Sequence, residues 1–287
     1  MPKVAVVIPC YNDGRYIDDA VDSILHQTYK DLDIIIVNDG SDDKYTARLL
    51  SDFIRPKTRV IHVNYRNPGA ARNHGIRETD SKYILTLDAD DKFEQTFLEK
   101  AVRVLDGNRN VGVVTCWVKL FGNWIGQWKP MGGNVRDFLL ENNACGSSLF
   151  RRVCWEQVCG YDETPEQGYE DWDFWIKITE RGWEVYSIPE YLYFYRKTLK
   201  STYLNARKRH PELVRNIVRN HRQIYEKYID HIIYEKEKII NDLYKSVPYR
   251  IGTVIIAIPV IFFIPYFLFR HITGSMKYWI KRMTSGK

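Results

Sequence analysis

Val4-Ala5-Val6-Val7-Ile8-Pro9-Cys10-Tyr11-Asn12-Asp13 is a short, mostly β-branched apolar run that gives way to a polar loop. Without polar alternation, such a run fits a strand buried on both faces, the kind found in parallel sheets covered by helices. After Gly14 the residues Tyr16, Ile17, Ala20, Val21, Ile24 and Leu25 recur at helical spacing, so the reading is strand, loop, helix. The unit repeats downstream. Ile34 to Val37 precedes a helix through Leu49 and Leu50, Val60 to Val63 a short helix from Ala70, and Tyr83 to Leu87 a helix through Leu98 and Leu105. This alternation predicts an α/β fold with a Rossmann-like, mainly parallel sheet flanked by helices. In open sheets of this kind ligands bind beyond the carboxyl ends of the strands, which points to the loops after Ile8, Val37 and Leu87.

Those loops carry chemistry. Leu85-Thr86-Leu87-Asp88-Ala89-Asp90-Asp91 hangs three carboxylates on one strand end. Hard oxygen ligands so grouped suit Mg²⁺ or Mn²⁺, ions that keep waters and bridge substrate phosphates. The same residues suit an acidic turn that caps the next helix. Asn38-Asp39-Gly40-Ser41 sets another carboxylate at the same edge, as an acceptor for a base or ribose or as a plain turn. In the first loop Tyr11 offers a ring for stacking on a base. Gly69-Ala70-Ala71-Arg72-Asn73-His74-Gly75 packs small residues round one guanidinium at a helix start, suited to a donor's polar groups or to helix entry alone.

The second half of the chain adds fewer signals. From about Val111 to Asn143 the periodicity weakens and Gly and Trp become frequent, which reads as irregular strands and loops around an acceptor site. Gly146-Ser147-Ser148 supplies small polar groups beside Arg151 and Arg152, and Tyr195-Arg196 a cation for a diphosphate. Glu170-Asp171 opens a Trp-rich helix that Gly182 stops; Asp171 reads as an N-terminal cap or as general base for a hydroxyl. Glu184 to Ile188 and Tyr191 to Tyr195 are strand candidates, while Trp117, Trp124, Trp128 and Trp172 offer faces for sugars or fill a core. After about Ser201 the composition turns to Arg, Lys, Glu, Ile and Tyr, with a helix from near Pro211 through Leu213, Ile217, Ile224, Tyr228 and Ile232. Ile251 to Phe269 carries no charge and would make about 28 Å of helix, enough to meet a bilayer core, though Pro259 and Pro265 interrupt it. Spanning, re-entrant and interfacial placements all fit that run, as does a buried helix of a soluble C-terminal domain.

Taken in order, Val-Ile-Pro-Cys-Tyr-Asn-Asp at 7–13, Asn-Asp-Gly-Ser at 38–41, Gly-Ala-Ala-Arg-Asn at 69–73, Asp-Ala-Asp-Asp at 88–91 and Glu-Asp-Trp-Asp at 170–173 resemble the family 2 glycosyltransferases of the bacterial surface-glycan type, over about residues 3–200. The resemblance implies a GT-A catalytic domain at 1–200, followed by a helical, partly hydrophobic extension at 201–287. It also implies an inverting single displacement that moves one sugar from a nucleotide-diphosphate donor, UDP by family habit, to an acceptor hydroxyl. On the same ground Pro9, Tyr11, Asp13, Asp39 and Arg72 are expected to line the nucleotide site, with Asp88 on the ribose side. Asp90 is expected to hold Mn²⁺ or Mg²⁺, Asp171 to act as base, and Ser147, Glu170 and Arg196 to contact diphosphate or sugar. The Gln-x-x-Arg-Trp motif of the processive synthases is missing, which favours one sugar per encounter.

Composition limits the alternatives. The net charge of +6, from 42 basic against 36 acidic residues, suits an anionic donor or membrane surface, and the basic residues of the extension alternate with acidic ones in a way that does not suit nucleic acid. Five cysteines at irregular spacing indicate neither a disulfide framework nor a zinc site. With no secretory pattern in Met1-Pro2-Lys3-Val4, the expected place is the cytosol, and the hydrophobic, basic tail then suggests the inner membrane face, with a lipid-linked or surface-polysaccharide precursor as acceptor. A homo-oligomer is compatible with the sequence and not required by it. No Gly-x-Gly-x-x-Gly, Gly-x-x-x-x-Gly-Lys-Ser/Thr or Gly-x-Ser-x-Gly occurs, which disfavours other nucleotide enzymes and leaves a non-catalytic, membrane-attached sugar-nucleotide-binding module as the rival.

Overall fold

The computed structural model describes residues 2–164, 168–198, 206 and 208–246. The apolar segment 251–269, and the membrane contact expected of it, lie outside the described residues. Met1–Ile229 form one compact unit and Asp230–Lys287 a second.

In the first unit the chain runs β1 (Val4–Cys10), α1 (Gly14–Leu25), β2 (Leu32–Asp39), α2 (Lys44–Ser51), β3 (Thr58–Val63), α3 (Pro68–Arg77), β4 (Tyr83–Thr86), β5 (Lys92–Phe93) and α4 (Phe97–Gly107). It continues through β6 (Val111–Gly122), β7 (Gly126–Trp128), β8 (Gly132–Gly133), α5 (Val135–Phe138), β9 (Leu149–Arg151), α6 (Arg152–Gln157), α7 (Glu170–Glu180), β10 (Glu184–Lys197), α8 (His210–Asn220) and α9 (Arg222–Lys227). The sheet order is β3-β2-β1-β4-β9-β6-β10-β5, with β7 beside β6 and β8 beside β10. β1 to β4 are parallel, as are β6 and β10, while β9 runs antiparallel to both its neighbours. The carboxyl ends of β1, β2, β4, β6 and β10 therefore share one edge. From β1 the chain builds outward to β3 and then returns to the other side of β1 with β4, so a crevice opens between the loops that follow these two strands.

Burial explains why the first strands form as read. Val4 to Ile8 and Ile34 to Val37 are fully buried, because α1 covers one face with Ile17, Ala20, Val21 and Ile24 while α3 lies on the other. Each such aliphatic side chain stabilises the fold by about 1.5–3 kcal/mol. α3 lies directly on the sheet: a Cβ on Gly75 would come 2.5 Å from Val7 Cγ1 and 2.8 Å from Val37 Cγ2. Any side chain at Gly75 would lift the helix, and Arg72 and Asn73 with it.

Three sequence expectations are corrected. Within the stretch expected to hold irregular strands and loops, Val111 to Gly122 is one long, regular strand; Val111 to Cys116 is buried between β9 and β10, and of the far half only Val118 is buried. The candidates 184–188 and 191–195 are a single strand, whose register against β6 shifts on either side of Tyr191. Pro189, lacking a donor, sits in that irregularity. The helix expected from 211 to 232 breaks at His221 and again at Tyr228. At His221 the buried ring turns inward, Nε2 lying 2.9 Å from Asp173 Oδ1, and the backbone leaves the helical region to let it do so.

In the second unit α10 (Ile229–Lys245) buries no residue, and Ile233, Ile240 and Leu243 are exposed. Among the described residues no helix is long and apolar enough to cross a membrane.

Candidate functional site

The loops after β1 and β2 are zipped together. Asn12 adopts a left-handed backbone (φ 63°). Its side-chain oxygen accepts from the backbone N–H of Asp42 and Asp43 at 2.9 and 3.1 Å, and its amide donates to Asp42 Oδ1 at 2.7 Å. One Asn side chain thus satisfies the backbone of a second loop thirty residues away and holds the two together. Tyr11 donates its hydroxyl to Asp42 at 3.0 Å and leaves its ring exposed, with the Arg66 guanidinium 5.8 Å from the ring centre. Asp39 is buried and accepts three backbone N–H groups, from Tyr65 at 2.6 Å, Arg66 at 2.9 Å and Asn67 at 2.8 Å. It shapes the loop that enters α3.

Past β4 the acidic loop divides its labour. Asp91 is buried and structural: it accepts from Arg196 N at 2.6 Å and from the Tyr193 hydroxyl, which ties the loop to β10. Burial, then the charges of Asp90 and Asp88, raise its pKa well above the usual carboxylate range. Asp90 is half-buried, and its carboxylate accepts no hydrogen bond from another described residue. Burial and the facing carboxylates of Asp88 and Asp13 push its pKa up to about 7. Asp13, at the start of α1, makes no side-chain cap bond, and burial together with Asp88 raises it to about 6.

A buried guanidinium joins this loop to the α7 helix. Arg72 donates from one nitrogen to Asp88 Oδ1 at 2.7 Å and from the other to Glu170 Oε1 at 2.9 Å. It is only 5% exposed, and its Nε has no hydrogen-bond partner among the described residues. Burial alone would lower its pKa, yet Asp88 and Glu170 hold it well above the ordinary value. Asp171 follows. Tyr169, in left-handed backbone, is the cap of α7, so Asp171 is not. Its Oδ2 accepts from Asn142 at 3.0 Å and its Oδ1 from Trp172 N at 2.8 Å, while a Cβ on Gly146 would lie 3.2 Å from Oδ2. Burial, then the charge of Glu170, raises Asp171 to about 6.

The fold thus gathers Asp13, Asp88, Asp90, Arg72 and Glu170 around the crevice, with Asp171 one residue beyond Glu170. Pro9, next to last in β1, lies beside Val37 on β2. Three residues read as direct contacts have their polar groups engaged inside the protein. Arg72 is clamped as described. Ser147 is buried, its Oγ 2.9 Å from the Tyr193 hydroxyl and 3.4 Å from Asp88 N. Arg196 lies between the rings of Tyr16 and Phe121, at 4.4 and 4.5 Å, and donates to Asp90 O at 2.8 Å and Asp19 at 3.0 Å. Sequence reasoning missed Asn142, which lies in the segment without periodicity, and Lys197. Lys197 is buried at the end of β10, and its pKa is lowered to about 8 by burial, against the pull of Asp91 and Asp90. Its position directly after Arg196 was the one signal available. Asn73 was passed over as well: it binds Trp155 Nε1 at 2.8 Å, Tyr161 N and O at 2.9 Å, and Glu163 at 2.8 Å, pinning the approach to α7 onto α3.

Among the described residues no three acidic, His or Cys side chains converge closely enough to hold an ion by themselves. The donor set still fits a hard divalent cation. Asp90 offers an unengaged carboxylate oxygen in a crowd of like charge, and Mg²⁺ or Mn²⁺ ordinarily takes one or two protein carboxylates and completes its shell with substrate phosphate and water.

This sheet order, with carboxylates at the carboxyl edge, is the GT-A arrangement. It superposes on S. aureus TarS 1–349, solved in complex with UDP-GlcNAc, with a TM-score of 0.59 at 19% identity, over 69% of this chain and 60% of that one. The family model of Glycosyl transferase family 2 matches residues 5–157. An uncharacterized glycosyltransferase of Methanocaldococcus jannaschii is 30% identical over 219 residues, 72% of this chain and 75% of that protein. Another from Haemophilus influenzae is 29% identical over 213 residues, 68% of this chain and 65% of its own length. The chain therefore spans just under two thirds of the Haemophilus protein and of the TarS fragment. It belongs to glycosyl transferase family 2 and is a glycosyltransferase.

Proposed function

We propose that this enzyme transfers a single sugar, with inversion, from a UDP-sugar to a hydroxyl of a lipid-linked or surface-polysaccharide precursor. In this reading residues 1–200 are the catalytic domain, and 201–287 extend it towards the inner face of the cell membrane. The observation that carries the proposal is the Arg72 bridge, which ties the acidic loop to the helix bearing Asp171 and so fixes a donor side against a base. The UDP-GlcNAc complex of TarS favours a uridine donor by fold likeness.

Pro9, Tyr11, Asp13 and Asp39 bound the nucleotide, with the exposed Tyr11 ring stacking on the base. Asp88 meets the ribose side, held in place by Arg72 and by Ser147. Asp90, assisted by Asp88, would hold Mn²⁺ or Mg²⁺. Such an ion supplies Lewis-acid stabilisation of the negative charge on the departing diphosphate. Arg196 fixes the carbonyl of Asp90, and Glu170 holds the α7 end of the bridge. Asp171 takes the proton of the acceptor O–H as that oxygen bonds to the anomeric carbon. The bond from that carbon to the phosphate oxygen breaks with its electron pair, and nucleoside diphosphate leaves. A pKa raised to about 6 suits a base that must be ionised near neutrality and still hold a proton in passing.

The test is release of nucleoside diphosphate from a panel of UDP-, GDP- and dTDP-sugars with acceptor, with Mn²⁺ or Mg²⁺ and with chelator. Asp171→Asn is expected to lower transfer by about 10²–10⁴-fold while donor affinity stays within a few-fold. Normal turnover in that variant would remove Asp171 from the mechanism. Donor binding without release from any donor would favour a non-catalytic binding module.

A further inference from the structure

The β6–β7 hairpin projects at the edge of the sheet where the acidic loop lies. Phe121, near the end of β6, stacks on Arg196, which binds the carbonyl of Asp90. Asn123 N then donates to Lys197 O at 2.8 Å, so the turn is anchored to the end of β10. Past this anchor the turn presents Trp124 (44% exposed) and Ile125 (93%), and its return presents Trp128 and Met131 (75%). Alongside stand Lys119 and Lys129, the latter 4.4 Å from the ring centre of Trp117. From Val111 to Arg136 the chain has no Asp or Glu.

Large apolar side chains are seldom left in water together without a partner. A glycan would answer the tryptophans but offers nothing to Ile125 or Met131, which need an apolar medium. Trp beside Lys, round a protruding aliphatic tip, is the chemistry of the interfacial zone of a bilayer: rings at headgroup level, methyl groups among the first acyl carbons, ammonium groups on lipid phosphates. A carboxylate-free stretch of 26 residues adds charge complementarity to anionic headgroups.

The geometry points to the β6–β7 turn, Trp124 and Ile125 foremost, as a docking tip that dips into an anionic lipid surface and brings the catalytic crevice to it. The inference rests on the sugar-transfer reading only for naming that edge catalytic, and it is separate from the segment 251–269. It implies an acceptor presented at a membrane rather than in bulk water.

The full chain carrying Cys159→Ser, which removes the one exposed described cysteine, and Ile125→Cys is labelled with a polarity-sensitive fluorophore. Ile54→Cys is the control: Ile54 is 91% exposed and lies before β3, at the opposite edge. Vesicles of phosphatidylglycerol and phosphatidylcholine are expected to shift the label at 125 to the blue and leave the one at 54 unchanged. Adding Lys119→Glu and Lys129→Glu should raise the vesicle concentration for half-maximal shift by roughly thirty-fold. The same variants are assayed for nucleoside diphosphate release in vesicle-free buffer, where they are expected to match the parent and so report an intact fold. No shift at 125, equal shifts at both positions, or a shift that grows with protein concentration without lipid, as a second copy would give, each overturns the inference. A blue shift with no sugar transfer from any donor would instead count against the transfer reading and leave the docking tip standing.

Discussion

Asp39 and Asp90 stand at the same edge of one sheet and are treated in opposite ways. Asp39 accepts three backbone N–H groups and organises the loop that leads into α3. Asp90, two strands away, accepts nothing from another described residue and is crowded by Asp88 and Asp13. A carboxylate that accepts three backbone N–H groups shapes the protein. One left unengaged among like charges costs stability until a ligand supplies the missing positive charge. The same residue type after the same kind of strand thus does either job, and only its partners tell which.

Arg72 is what keeps the open side from being more open, and its loss should have the largest effect on stability. Arg72→Met leaves Asp88 and Glu170 unpaired and is expected to destabilise by about 3–5 kcal/mol, read by denaturant unfolding. A loss below 1 kcal/mol would mean that the bridge is not held in solution. Next comes Asp90→Asn, expected to cost about 10²-fold in transfer, near 2.7 kcal/mol, while the unfolding temperature without metal stays level or rises. A marked fall in that temperature would show that Asp90 has structural bonds after all, and the contrast with Asp39 would dissolve. Asp39→Ala should show the reverse balance, with about 2 kcal/mol lost from stability because its N–H partners are left bare.

A separate effect is expected in pH dependence. Asp90, at about 7, and Asp13, at about 6, hold protons in the folded chain that an unfolded aspartate near 3.9 has released. Between about pH 4 and 7 the native state therefore binds more protons than the unfolded state, and their contribution to stability falls as pH rises. Asp90→Asn should flatten that slope, as should Mn²⁺ with UDP in the wild type. The raised carboxyl of Asp171 adds a kinetic counterpart: transfer should decline as pH falls through about 6. A slope unchanged by either treatment would mean that the cluster is not crowded in solution.

The first four strands and their loops were legible because a parallel sheet demands unbroken apolar runs, and Val4 to Ile8 and Ile34 to Val37 have them. β6 was not, although Val111 to Cys116 meets the same criterion. Its second half leaves the core, and the Trp, Lys and Gly there hide the pattern. The acidic loop could be found from sequence, but its division of labour could not. Asp91 turned out structural only because Tyr193 and Arg196, more than a hundred residues later, come to meet it. Arg72 likewise read as a ligand for a donor, since nothing near it announces Glu170 as its partner.

That partnership bears on tolerance. Glu170 lies 98 residues from Arg72 in the chain, across loops whose small errors would ordinarily accumulate. Both acids instead register against one planar, rigid group, so the spacing between the acidic loop and the first turn of α7 is set by the width of a guanidinium. A gauge block does the same for two machined faces: each side can be remade, provided that both are still cut to the same standard.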